Sequence, residues 1–165
     1  MKKAILILLC LLLAGCASTE QSPETTAETA PILQLANPWK DYPSLEEAEA
    51  ACGLDFPLED VVADSYKAES YRVMNGQLME VTYRDNTFEV TVRMQAGEKQ
   101  DISGVYEEFE NITTFETDTH TITIKKIKDG GILQLISKDG CSYSFYAPNH
   151  YWGDSNADFL AFLNQ

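Results

Sequence analysis

From Tyr66 to Tyr146 apolar and polar residues alternate with a period of two, and tight-turn dipeptides interrupt the alternation at short intervals. A strand turns successive side chains to opposite faces, so this pattern describes a sheet with one buried face. A helix would repeat every three to four residues. Asn75-Gly76 separates 66–74 from 77–84, and both residues tolerate the positive φ that a two-residue hairpin needs. Asp85-Asn86 marks a second turn, after which Phe88, Val90, Val92 and Met94 share one face against Glu89, Thr91 and Arg93 on the other. A polar loop over 96–104 leads to strand-like runs at 105–115, 120–127, 132–137 and 141–146. Gly130-Gly131 and Asp139-Gly140 join the last three as hairpins.

Two short helices are predicted to flank this block. Ser44-Leu45-Glu46-Glu47 pairs an N-cap serine with a glutamate three residues on, which starts a helix over 45–52, and Gly53 is its natural stop. Near the C-terminus Ser155 offers a cap, and Phe159, Leu160, Phe162 and Leu163 fall on one helical face. The expected fold class is α+β: a curved antiparallel meander of about six to seven strands with an N-terminal and a C-terminal helix packed on one face.

The N-terminus reads as an address. Lys2 and Lys3 precede an apolar run over 4–13 that is too short to span a bilayer core of ~30 Å and fits a signal peptide. Leu13-Ala14-Gly15-Cys16 looks like the lipobox of bacterial lipoproteins, which implies cleavage after residue 15 and acylation of Cys16. Two or more acyl chains anchor stably where one binds only marginally. Residues 16–36, rich in Thr, Glu, Ala and Pro, are expected to form a flexible linker. A single globular domain is expected over 37–165, on the outer side of the cell membrane. Cleavage removes Lys2 and Lys3, so the formal charge falls from −14 to −16. Such a polyanion is repelled by anionic lipid surfaces and by phosphate backbones, which excludes nucleic acid as a partner.

Asn37-Pro38-Trp39, Ser44 to Ala48, Gly53-Leu54-Asp55-Phe56-Pro57, the Asn75-Gly76 hairpin and Asp101-Ile102-Ser103-Gly104 together resemble a domain of unknown function. That domain recurs in exported lipoproteins and in the outside part of anti-sigma-factor-like proteins of Gram-positive bacteria. The resemblance implies an outline similar to curved antiparallel half-barrels that carry lipoproteins or lipids. It implies no activity and no catalytic residues.

Once Cys10 is cleaved away and Cys16 is acylated, Cys52 and Cys141 remain. An exported pair either bridges, pinning the first helix to the sheet, or packs as two buried thiols. His120 and His150 lack the paired spacing of a zinc site, and Asp154-Ser155-Asn156-Ala157-Asp158 lacks the glycine and distal glutamate of a calcium loop, so no metal and no cofactor is expected. His150, Tyr151 and Trp152 form an aromatic loop that suits a ligand or partner surface, although such clusters more often close a core. The acidic stretch Glu107, Glu108, Glu110, Glu116 and Asp118 suits a basic partner, with a solvated strand face as the plainer reading. No nucleophile elbow, P-loop or HExxH pattern occurs. The expectation is a membrane-anchored, non-enzymatic binding or sensing module for an envelope protein, a peptide or an apolar ligand. The mechanism would be strand addition at an edge or insertion between sheet and helices. The alternative is an envelope structural or stress-response tether without a small ligand.

Overall fold

The computed structural model describes residues 37–62, 66–98, 100–128 and 130–149. Among them are β1 (Trp39–Tyr42), α1 (Leu45–Cys52), β2 (Val61–Val62), β3 (Tyr66–Met74), β4 (Leu78–Arg84), β5 (Glu89–Ala96), β6 (Phe109–Glu116), β7 (His120–Ile127), β8 (Ile132–Lys138) and β9 (Cys141–Ala147). All nine strands join one antiparallel sheet in the order β1-β3-β4-β5-β9-β8-β7-β6, and β2 pairs with β3 beyond the end of β1.

The hairpins form where the turn chemistry places them. Asn75 and Gly76 take φ of 54° and 67°, and β3 and β4 pair on either side of them, Met74 opposite Leu78. The register then stacks apolar partners on one face: Met79 faces Met94, Val81 faces Val92 and Tyr83 faces Val90. On the next strand Phe145 and Tyr143 continue those rows. α1 covers this face against β1, β3 and β4, with Ala48 fully buried in the core. Ser44 Oγ accepts the Glu47 N–H at 3.3 Å, and Gly53 closes the helix in the left-handed region with its N–H on Glu49 O at 2.7 Å. The connector after α1 is tied down by tyrosine hydroxyls. Tyr83 donates to Glu59 O at 3.0 Å and Tyr71 to Asp60 Oδ1 at 2.6 Å.

This architecture corrects the α+β expectation. The fold is mostly β, with a single eight-residue helix among the described residues and nine strands in place of six or seven. The expected C-terminal helix over 155–163 lies outside the described residues. β1 and β2 escape a periodicity reading because four and two residues are too few to show alternation. The strand expected from Val105 starts only at Phe109.

The sheet also departs from a simple meander. β9, not β6, lies beside β5. Four antiparallel steps separate β5 from β6, so the two run in the same direction. Parallel strands need a crossover of about a dozen residues, which 97–108 supplies. The expected polar loop is therefore a strap across the sheet, and it sends β6 to the far edge.

Candidate functional site

The strap lies on the face opposite α1 and is anchored by a buried ionic cluster. Glu80 of β4 registers with Arg72 of β3 and Arg93 of β5 and is only 1% exposed. A buried carboxylate is tolerable only when paired, and Glu80 accepts from both guanidiniums, Arg93 Nε approaching at 2.7 Å. The Trp39 ring lies against the same two cations, 5.0 Å from Arg72 and 5.3 Å from Arg93. Arg93 then reaches the strap, donating to Ile102 O at 3.1 Å and to Ser103 O. Gly104 follows at φ 63°, where a Cβ would stand 2.6 Å from Arg93 Nη1, so only glycine permits this approach.

The strap is fixed at two further points. The Gln100 N–H donates to Ser142 Oγ at 3.3 Å, and Ser142 Oγ donates to Gly97 O at 2.6 Å. Asp101 accepts from Ser103 N–H, from Ser103 Oγ at 2.6 Å and from Lys125 Nζ at 2.7 Å. Partial burial pushes the Asp101 carboxyl up, but the hydrogen bonds from Lys125 and Ser103 outweigh it and hold its pKa below the usual value.

Beside the strap the same face opens into a groove of about 350 Å³. Gln100 and Asp101 wall one side, Thr121 and Thr123 of β7 and Ser137 of β8 supply hydroxyls, and Glu116 contributes from the edge strand. That volume falls in the lower range of small-ligand sites. Lys125 and the apolar Leu135 and Ile136 complete the lining, so the groove combines polar and apolar surface. A general acid would need a raised carboxyl pKa, and Asp101 is shifted the other way.

β6 borders the groove, and β7 is its only strand neighbour among the described residues. Its side chains are exposed on both faces, Ile112 at 59% and Phe115 at 52%. The closing bond of the β6–β7 hairpin, Thr117 N–H to His120 O at 2.9 Å, sets which backbone groups point outward. In an antiparallel ladder, hydrogen-bonded and non-hydrogen-bonded pairs alternate. Thr117 pairs inward with β7, so Phe115, Thr113 and Asn111 do the same. Glu116, Thr114 and Ile112 turn their N–H and C=O groups to the open edge. Their side chains share the face of Lys125, Thr123 and Thr121, which is the groove face.

Natural proteins shield sheet edges with short strands, proline, charged side chains, above all lysine, or β-bulges. The opposite edge follows that rule, since β1 has four residues, carries Lys40 and Asp41, and is flanked by Pro38 and Pro43. β6 is twice as long and has neither proline nor lysine; its protection is limited to the bulge at Phe109/Asn111 and to Glu110 and Glu116.

Of the residues singled out in the sequence, Asp101 and Glu116 line the groove, while the other candidates do not gather there. Cys16, His150, Tyr151 and Trp152 lie outside the described residues. Cys52 and Cys141 are free thiols at the α1 side of the sheet. The Cys52 thiol donates to Ala48 O at 3.2 Å, and burial pushes its pKa up. Tyr66, Tyr83 and Tyr143 are buried in the core and Tyr71 packs against it, so these rings do not line a ligand cavity. His120 closes the β6–β7 turn, its Nδ1 2.9 Å from Thr119 Oγ1. Among the described residues no three His, Cys, Asp or Glu side chains converge as a metal site. Thr121, Thr123 and Ser137 of the groove were legible in the sequence only as the polar half of an alternation. The missing signal was the strand order, which no local pattern encodes.

Comparison with family models, with curated proteins and with solved structures found no match. The resemblance to the exported lipoprotein domain rests on its motif residues alone.

Proposed function

We propose that the protein is a lipid-anchored, extracytoplasmic recognition module without catalytic activity, and that it takes an extended segment of another polypeptide by strand addition along β6. The observation that carries this reading is the edge of β6 beside the groove, which no other strand among the described residues covers. Strand addition uses main-chain hydrogen bonds for affinity and alternate side chains for specificity. Ile112, Thr114 and Glu116 supply the first, and the groove face supplies the second. The core tyrosines favour the edge over an apolar ligand held between sheet and helix. Acylated Cys16 would hold the module at the membrane, and the 16–36 linker would give it reach.

The test is site-specific photo-crosslinking in intact cells with the probe at position 112. A defined polypeptide adduct that disappears in the Thr114→Pro variant supports the reading. Proline at 114 removes an outward N–H, a position where an edge strand tolerates it. An adduct indifferent to Thr114→Pro, or none at all, contradicts strand addition.

A further inference from the structure

We infer that the strand accepted by β6 is cationic on its groove-facing side, with a Lys or Arg directly opposite Glu116. This rests on the strand-addition reading and adds to it the chemistry of the partner. In a sheet, residues directly opposite each other project to the same face with Cβ atoms about 4.5–5.5 Å apart. A residue of the incoming strand paired with Glu116 therefore projects toward the groove. There it meets the Glu116 carboxylate and the Thr121 hydroxyl, with Lys125, Leu135 and Ile136 also in the lining.

The surrounding charge points the same way. Glu107, Glu108, Glu110 and Asp118, close to β6 in the chain, are all exposed. Two cations nearby are already engaged with carboxylates. Lys125 is held by Asp101 at 2.7 Å and lies over the Phe109 ring, and Lys128 is held by Glu108 at 3.1 Å. Lys126 registers with Asn111 and faces the other side of the sheet. The whole chain adds a net −14, which steers a basic segment inward and a second copy of this acidic chain away.

The rest of the edge sets direction. Ile112 lies four residues from Glu116 on the same face and is exposed, so it favours an apolar partner residue. Read along its groove face, the partner strand carries a cation at one end and an apolar residue four positions away. That asymmetry fixes which way the segment lies.

The test uses capped nine-residue peptides of alternating threonine and valine that differ at one groove-face position, which is Lys, Gln or Glu. Binding to the folded protein is followed by fluorescence anisotropy, with thermal unfolding confirming the fold of each variant. The expected order is Lys, then Gln, then Glu, with Lys ahead of Glu by about five- to tenfold at low salt. The gap should narrow as salt is added. Glu116→Lys should invert the order, and Thr114→Pro should abolish binding of all three. Equal binding of the three peptides, still lost in Thr114→Pro, would overturn the cationic inference and leave strand addition standing. No binding by any peptide, or binding indifferent to Thr114→Pro, would overturn both.

Discussion

Glu80 shows how one residue organises a face. It lies between two arginines on neighbouring strands, and through Arg93 it holds the strap that leads to β6. Removing one partner of a buried ion pair leaves the rest uncompensated, which costs about 3–5 kcal/mol. Arg72 keeps partial access to water, so Glu80→Ala is expected near the lower end, about 3 kcal/mol, as a fall in the urea midpoint with the m-value unchanged. Asp101 adds a pH-dependent contribution. Its folded-state pKa is lowered, so its stabilisation is fully present above the unfolded value near 3.8 and is lost as pH falls through the folded one. Urea midpoints of wild type and Asp101→Asn should differ at neutral pH and converge in strong acid. A constant difference across that range would remove Asp101 as the cause. Tyr71 behaves in the opposite sense. Burial first, then its bond to Asp60, push its pKa up to about 12, so it should stay un-ionised when exposed tyrosines titrate near pH 10.

At the scale of elements, the sequence declared the turns at 75–76, 85–86, 130–131 and 139–140, but neither the β6–β7 hairpin at 117–120 nor the order in which hairpins assemble. Asn75-Gly76 and Asp139-Gly140 are local instructions, read correctly because positive φ is a property of single residues. The position of β6 depends on Arg93, Ser142 and Lys125 receiving a strap from far along the chain. Alternation in 109–116 reads the same in an edge strand as in a central one. β1 and β2 were missed because they are too short to carry a period, and the C-terminal aromatic residues lie outside the described part of the chain. The alternation on β6 makes two adjacent proline substitutions differ. Thr113→Pro removes an N–H bonded to β7 and should lower stability by about 1–3 kcal/mol. Thr114→Pro removes one that faces outward and should leave stability nearly unchanged. Paired urea denaturation curves decide this, and equal losses would mean that the inward and outward assignments are wrong.

For the whole molecule, the proposed anchor at Cys16 and the proposed recognition edge on β6 are separate in the chain and are tested separately. Metabolic labelling with palmitate should be lost in Cys16→Ser while the body still folds, and retained label would refute the anchor. The two remaining thiols are unbridged in the fold and pack against the same core. Protein unfolded without reductant should take up two alkyl groups, at Cys52 and Cys141, and no uptake would mean a bridge.

The central claim, that β6 offers an open edge of alternating backbone groups, is tested most directly by residue-resolved amide hydrogen exchange on the free protein. The structure predicts rapid exchange at Ile112, Thr114 and Glu116, with protection at Asn111, Thr113 and Phe115. Uniform protection along 111–116 would show the edge already covered and would contradict the account.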